Sequence, residues 1–377
     1  MHTLRNFRKV LGNENVISCG PERSSISWDL KKGGEHEFGH DVEMPKRNFH
    51  PETYSYEETL DAVKKAGYST DFDLIIQGEP NFFFIGDKPN IPVAYIVIDT
   101  HRGPRTHIKM ATKAKVDYFF IANAYHKKIY ETKHIIDGIL CEPKWKVYTN
   151  YAATDPDIFK EYREELGDEY EKYDIVFVGN DGIRKWGDFT NGDYRTDKVT
   201  MISEVETKEG LKMDEWSTVP ASDLRFGEYA PRAAHLLRLV KDFNIRFLPG
   251  SLHAREYAML LNKGKIIFNC TINNDLNMRV GEAMGCKRCL VTDWMPGIEE
   301  VLGKNLETHV EYHKYFHWDN VNFDLDYDEL RMYMSWMVGD RESREKIAKR
   351  GQEHAYAYNT YEHRCRDILR KTLNWEG

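Results

Sequence analysis

No run of about 18 consecutive apolar residues occurs in this chain, so nothing in it reads as a membrane span. The first residues, Met1-His2-Thr3-Leu4-Arg5, lack the apolar core of a secretory signal, and a cytoplasmic setting is the expectation. Cysteine is sparse. Six in 377 residues make no disulfide framework and fit thiols in a reducing compartment. Cys286 and Cys289 form a C-x-x-C without the second ligand pair that a zinc site needs, so packing around a strand is the plainer role for them. Neither G-x-G-x-x-G after a strand nor G-x-x-x-x-G-K-[ST] is present, which weakens dinucleotide-dehydrogenase and P-loop readings. Positive charge is not in surplus either. A net charge of -8 argues against a globally basic nucleic-acid coat while leaving room for a local basic groove.

What is present is core-forming material: 41% hydrophobic and 13% aromatic residues, enough to exclude disorder as the state of the whole chain. The length is about twice that of a typical domain, so two domains are expected. Short apolar runs alternate with helical stretches, the pattern of parallel strands joined by crossover helices. Strands are predicted at 16–19, 74–77, 93–98, 118–122 and 146–148, then at 175–178, 246–248, 266–269 and 290–292. Their nearly continuous apolar character suits strands covered on both faces. The fold class is therefore α/β, with two Rossmann-like units. The boundary is expected in the charged stretch 155–172, and residues 186–229 read as an inserted loop or small hairpin.

The most informative stretch is 266–293, a strand, a helix from about Leu276, a stop at Gly285 and another strand. Asn274 or Asp275 is expected to cap the helix, and Gly285 to take the left-handed position after its last turn. Arg279 and Glu282 lie three apart and share a face. Helix N-termini at the carboxyl ends of parallel strands favour phosphate. There a guanidinium offers paired donors to a diphosphate, and a carboxylate one turn on can accept from ribose hydroxyls. The alternative is a surface Arg–Glu pair on an ordinary amphipathic helix.

The run Asn269-Cys270-Thr271-Ile272-Asn273-Asn274-Asp275-Leu276-Asn277-Met278-Arg279-Val280-Gly281-Glu282-Ala283-Met284-Gly285-Cys286, closing at Leu290-Val291-Thr292-Asp293, resembles the donor-site signature of group 1 glycosyltransferases, in particular the spore-maturation-protein-like subfamily. Leu248-Pro249-Gly250, Tyr257-Ala258 and Leu260-Leu261-Asn262 fit its lead-in. Tyr361, His363 and Arg364 fit its closing helix, and Cys19-Gly20-Pro21-Glu22 with Gly39-His40-Asp41-Val42 its first strand, turn, helix and second strand. The resemblance implies a GT-B architecture, with two Rossmann-like domains facing across a cleft. An acceptor domain would span 1–160 and a nucleotide-sugar donor domain 161–354. A C-terminal helix, 355–377, would return to the first domain.

The same resemblance implies donor contacts from Gly179, Arg184, Pro249, Gly250, Tyr257, Asn277, Arg279 and Glu282, with Glu282 on the ribose and Arg279 and Arg184 toward the diphosphate. Gly20, Glu22, Arg102 and Arg105 are expected on the acceptor side. No metal or resident cofactor is implied, only a nucleotide-sugar co-substrate, UDP-linked by preference. Retaining members carry a further glutamate eight residues before the ribose-binding one, where this chain has Asn274. Retention is favoured, and this departure bears directly on it.

The predicted strand 93–98 ends in Asp99-Thr100-His101-Arg102-Gly103, and Asp99 and His101 are candidates for acceptor activation, histidine being suited to take a hydroxyl proton near neutral pH. The plain alternative is a loop with a capping aspartate. Between Arg102 and Lys133 stand eight cationic residues against Asp117 and Glu131, either two solvated helix faces or a groove for a phosphate-bearing acceptor. The specific expectation is a hydroxylated base in DNA, as for virus-encoded DNA-modifying glycosyltransferases, with the host cytoplasm as its setting; a small molecule, polysaccharide or protein acceptor stays open. So do a non-catalytic nucleotide-sugar-binding or spore-coat module and a nucleotide-sugar epimerase. His36-Glu37-Phe38-Gly39-His40 matches H-E-x-x-H, but Gly39 breaks the continuous helix which that zinc pattern requires.

Overall fold

The computed structural model describes residues 2–21, 40–45, 47, 52–78, 82–97, 104–178, 230–239, 241–248, 254–271, 276–295, 297–313 and 320–376. They fall into two compact units, Met1–Ala152 with Tyr361–Gly377, and Ala153–Thr360. No helix among the described residues is long and apolar enough to cross a membrane.

In unit 1, α1 (His2–Leu11) leads to a short parallel pair, β1 (Cys19–Pro21) and β2 (Val42–Met44). Next come β3 (Glu52–Ser55) and α2 (Tyr56–Lys65). Ser55 and Glu58 close a reciprocal capping box at the start of α2, the S-x-x-E spacing that satisfies two otherwise orphaned amides. β4 (Ile75–Gly78), β5 (Phe82–Ile85) and β6 (Val93–Val97) follow, then α3 (Pro104–Lys113), β7 (Tyr118–Ile121), α4 (Lys127–Glu131), the antiparallel hairpin β8 (His134–Ile136) and β9 (Ile139–Cys141), and β10 (Lys146–Thr149). The main sheet is parallel in the order β10-β7-β6-β4, with β3 and β5 paired separately.

Every residue of β6 is buried because both faces of the strand are covered. Val93, Tyr95 and Val97 pack with Phe119 and with Ile108 of α3, while Ala94 and Ile96 pack with Phe7 of α1 and with Cys365, Ile368 and Leu369. These last three lie on the C-terminal helix, Tyr361–Leu373, which returns to unit 1.

Unit 2 contains α5 (Arg163–Leu166), β11 (Tyr173–Val178), α6 (Ala230–Leu239), β12 (Ile245–Leu248), α7 (Ala254–Asn262), β13 (Gly264–Asn269), α8 (Met278–Gly285), β14 (Cys289–Asp293), α9 (Ile298–Leu302), β15 (Val310–Tyr312), α10 (Asn320–Gly339) and α11 (Arg341–Tyr358). Its five strands are all parallel, in the order β12-β11-β13-β14-β15, with Ile175, Val176, Phe177, Ile266, Ile267 and Phe268 fully buried at the centre. The mixed α/β fold built on parallel sheets is the one expected from the alternation of apolar runs.

Two local expectations about α8 are corrected. Its cap is Asn277, whose side chain accepts from the Arg279 amide; Asn274 and Asp275 lie outside the described residues. Gly285 is the last helical residue rather than the left-handed one. Lys287, at φ 57°, turns the chain instead. What requires glycine at 285 is space, since a Cβ there would stand 2.3 Å from Thr154 Oγ1 and 2.9 Å from the Phe159 carbonyl oxygen. Gly281, one turn earlier, faces the Ala153 backbone at 3.0 Å. The chain enters unit 2 along this glycine face and leaves beside it: Thr154 bridges Thr360, and its amide donates to the Asn359 carbonyl at 2.9 Å.

At the amino ends of the unit 2 strands, Arg288 and Arg344 both grip Glu171, at 2.7 and 3.2 Å. Tyr170 donates to Glu161 at 2.7 Å while the Arg163 and Arg288 guanidiniums lie over its ring. Lys287 completes the surroundings of Glu161 at 2.9 Å, and the Glu161 carboxyl is held down to about 2. Burial alone would raise it. The hydrogen bonds from Lys287 and Tyr170 and the nearby positive charges outweigh that.

Candidate functional site

Parallel strands end on the same side, so the carboxyl ends of β11, β13 and β14 bring Val178, Asn269 and Asp293 to one edge of the unit 2 sheet, where α8 begins. Arg279, in the first turn of α8, reaches back across that edge. Its Nε donates to the Val178 carbonyl at 2.8 Å, with Nη2 on the same oxygen, and Nη1 donates to Asn269 Oδ1 at 2.7 Å. Asn269 also accepts from Asn277 Nδ2 at 2.9 Å and donates to Thr292 Oγ1 at 2.9 Å. Beside it the Asp293 carboxylate accepts from the Thr271 amide at 2.8 Å and the Thr271 hydroxyl at 2.5 Å. One polar chain thus ties three strand ends to the start of α8.

A second guanidinium joins this edge from α6. Arg232 donates to the Cys270 carbonyl through Nε at 3.1 Å and Nη2 at 2.7 Å. The Phe177 ring lies under both cations, 4.3 Å from the Arg279 guanidinium carbon and 5.4 Å from that of Arg232. Both arginines are buried, at 8% and 5% exposure. Arg279 makes no salt bridge among the described residues. Burial first, and then the charge of Arg232, bring its pKa down to about 10, against the opposing pull of Tyr257 and Glu282. It therefore stays cationic at neutral pH, with Glu282 near it but not in direct ion-pair contact.

Glu282, one turn along α8, is 4% exposed. Tyr257 of α7 donates a hydrogen bond to it, and burial followed by the Glu282 charge pushes the phenol well above its ordinary range. The Tyr257 ring is braced edge-on by Phe159 at 5.9 Å. Arg279 and Glu282 are thus interior groups of one electrostatic cluster and not an outward-facing surface pair.

Of the residues singled out from sequence, Tyr257, Asn277, Arg279 and Glu282 gather at this edge. Asn277 is engaged as a helix cap and as a partner of Asn269. Gly179, Arg184, Pro249, Gly250, Asp99, His101, Glu22 and Arg102 lie outside the described residues, as do the 186–229 insertion and His36 to Gly39 of the H-E-x-x-H run. In unit 1, Gly20 is the middle residue of β1, where a Cβ would meet the His40 ring at 2.4 Å, and Arg105 is exposed on α3.

Four of the eight cations in the basic stretch of unit 1 pair with acids. Lys109 pairs with Asp137, Lys115 with Asp87, Lys127 with Glu131 and Lys133 with Glu142. Arg105, Lys113 and Lys128 make no ion pair among the described residues. Cys286 and Cys289 are buried thiols, both raised by desolvation, Cys289 to about 12. Among the described residues no three His, Cys, Asp or Glu side chains converge as a metal ion would need.

Sequence reasoning passed over Arg232. A physical signal for it exists. Pro231 marks the first turn of α6, and a cation in a first turn opposes the helix dipole by about 0.3–1 kcal/mol. Arg279 carries the same penalty, and neither helix has an acidic residue in its first turn.

A family profile described as glycosyl transferase-like matches residues 240–370, from the residues just before β12 into the C-terminal helix, and so includes α7 and α8 but neither Arg232 nor β11. No curated protein matches the chain. Among solved structures, a glycosyltransferase from Rickettsia africae is similar at 13% identity, over 99% of this chain and 93% of its own, with a TM-score of 0.53. Sucrose-phosphate synthase from Thermosynechococcus elongatus (12% identity, 84% and 76% covered, TM-score 0.47) and Anabaena HepE in complex with UDP and glucose (11%, 76% and 72%, 0.46) are more distant. The Rickettsia likeness is one of fold. The chain has the mixed α/β, parallel-sheet fold of a GT-B-type glycosyltransferase.

Proposed function

We propose that this protein transfers a glycosyl group from a nucleoside diphosphate sugar, UDP-linked by preference, to a hydroxyl acceptor. The observation that carries the reading is the buried cation of Arg279 at the carboxyl edge of the unit 2 sheet, in the first turn of α8 and one turn from Glu282, with no direct salt bridge among the described residues. The profile match over 240–370 supports it, because it spans the segment that holds Arg279, Glu282 and Tyr257.

In this reading the diphosphate lies against Arg279, Arg232 and the N-terminal end of α8, whose dipole favours negative charge. Glu282, oriented by Tyr257, takes the ribose hydroxyls. Catalysis comes from holding the two substrates together and from stabilising the charge that develops on the departing diphosphate, work done by fixed guanidiniums in a low-dielectric setting without a metal ion. Asp99 and His101 are assigned to the acceptor side, and retention is the favoured outcome. The four ion pairs within the basic stretch of unit 1 reduce its net positive charge, which favours a compact hydroxyl acceptor over a long nucleic-acid backbone. A hydroxymethylated base in DNA is the specific alternative, and it requires salt-sensitive activity and retention on DNA.

Incubation with UDP, GDP and ADP sugars, with and without acceptors, tests the reading. Acceptor-dependent nucleotide release supports it. An altered sugar without acceptor marks an epimerase, and binding without turnover a non-catalytic module. Glu282→Ala is expected to raise the donor KM, and unchanged kinetics with every donor would refute its assignment.

A further inference from the structure

The hairpin of β8 and β9 in unit 1 has two unlike faces. Ile136 and Cys141 are buried in the unit 1 core, while Ile135 and Leu140, directly opposite each other in the antiparallel register, are 74% and 60% exposed. The turn is Asp137-Gly138, both at positive φ, the tight connection that carries a hairpin to a sharp tip. The two strands form a sheet of their own, joined to no other strand among the described residues. Ile139 and, on α4, Ile129 add exposed aliphatic surface, and His134 donates to the Ile129 carbonyl at 2.8 Å, tying α4 to the start of β8. Single apolar residues scattered over a surface are ordinary. An in-register aliphatic pair on a hairpin marks a contact surface.

Cations surround it. Lys109 on α3 pairs with Asp137 at the tip, at 2.6 Å, and Arg105, one turn earlier on the same helix face, acts on the same carboxylate through its charge. At the base of the hairpin Lys133 pairs with Glu142 at 2.5 Å, and Lys144 adds its charge there. On α4, Lys127 pairs with Glu131, while Lys128 has no ion pair among the described residues. Six cations thus meet three acids around the hairpin, a local positive surplus in a chain of net charge -8.

We propose that this hairpin is a docking element for an anionic lipid surface, with Ile135 and Leu140 entering the headgroup boundary and Arg105, Lys128 and Lys144 meeting the lipid phosphates. The surface lies in unit 1 and owes nothing to the donor-site reading of unit 2. Aliphatic side chains ringed by cations match the two layers of such a surface, acyl chains beneath negative headgroups. Lysine and arginine stems can lie along the apolar layer while their charges stay at the phosphates. Nucleic acid offers no apolar layer of this kind, and single-strand sites stack bases on aromatic rings, which this face lacks. A stable protein partner needs roughly 800 Å² on each side, more than a few aliphatic side chains at a hairpin provide.

Co-sedimentation of the full chain with vesicles of equal parts phosphatidylcholine and phosphatidylglycerol, against vesicles of phosphatidylcholine alone, tests the proposal. Partition should be about tenfold or more stronger onto the anionic vesicles and should fall as added salt screens the charges. Ile135→Thr combined with Leu140→Thr, threonine being a good strand former, should weaken partition about tenfold. Lys128→Gln combined with Lys144→Gln should also weaken it about tenfold while the melting temperature holds, which keeps the test valid if the threonine variant folds poorly. No partition onto either vesicle, equal partition onto both, or partition unchanged in both variants overturns the proposal. Duplex DNA binding that the lysine variant loses, in protein that ignores vesicles, overturns it in favour of a nucleic-acid surface. Dimerisation that the threonine variant abolishes, again without vesicle binding, overturns it in favour of a face between two copies.

Discussion

Replacing Arg279 by methionine removes a buried charge and a ligand contact together, and the structure separates the two consequences. The folded protein lowers the pKa of Arg279 from 12.5 to about 10, so the charged form is disfavoured by about 3 kcal/mol. Methionine relieves that cost. Against this, the Val178 carbonyl loses its donors, about 1–3 kcal/mol, and the Phe177 contact is lost, about 1–2 kcal/mol. Asn269 keeps its bond to Asn277. The sum lies within about 2 kcal/mol of zero, so the apo melting temperature should move by no more than about 4–8 °C for a unit of this size.

Binding behaves differently. UDP at a hundred times its Kd stabilises a protein by about 2.7 kcal/mol. Losing one charge-assisted contact of about 1.5–3 kcal/mol weakens affinity roughly ten- to a hundred-fold, which cuts that stabilisation to about 0.4–1.4 kcal/mol at the same UDP concentration. Paired melting curves with and without UDP report both effects. A variant that keeps the full UDP shift would refute the placement of Arg279 on the ligand. One that fails to fold would make Arg279 a structural keystone and refute the balance argued here.

The remaining expectations concern the scaffold. Gly285→Ala places a methyl 2.9 Å from a backbone oxygen that has little room to retreat, so urea unfolding should find it destabilised by about 1–3 kcal/mol. Gly281→Ala meets the Ala153 and Thr154 backbone at 3.0–3.2 Å, a milder clash that helix propensity of up to about 1 kcal/mol partly offsets, so it should lose less than Gly285→Ala; equal losses at both sites would contradict the steric account. Glu161→Gln should destabilise by about 1–2 kcal/mol at pH 6, the side chain being 27% exposed. The Glu161 carboxyl is depressed in the fold, so its contribution is complete above about pH 4.5 and fades as pH falls toward 2. Wild type and variant should therefore converge in acid, and a gap that is constant with pH would refute this origin.

Four of the five strands of unit 2 were legible because each is a nearly unbroken apolar run. The structure lengthens them by a residue or two, to Tyr173–Val178 and Gly264–Asn269. β3 escaped notice because Glu52-Thr53-Tyr54-Ser55 carries too little apolar character, and β15 because its central residue is Glu311, which is buried beside His309 at 2.6 Å. A paired carboxylate in a core strand looks like a loop until its partner is known. Arg279 and Glu282 were legible through helix spacing and family likeness together. Arg232 was not, since its link to Arg279 runs through Phe177 and the end of β13, a contact across 47 residues that no local pattern encodes.

The pairing of Thr154 with Thr360 means that unit 2 begins and ends at one point. In polymer terms it is an insertion, entering and leaving its host through adjacent ends. Closing such a loop costs little further entropy once the module itself has folded. Residues 153–360 therefore form a natural excision product, one continuous segment whose ends already meet, and the parts flanking it could be rejoined by a short linker. The helix that presents Arg279 and Glu282 is packed against that seam through Gly281 and Gly285, so a cut made there should keep the few residues on either side of Thr154 and Thr360 with the excised piece.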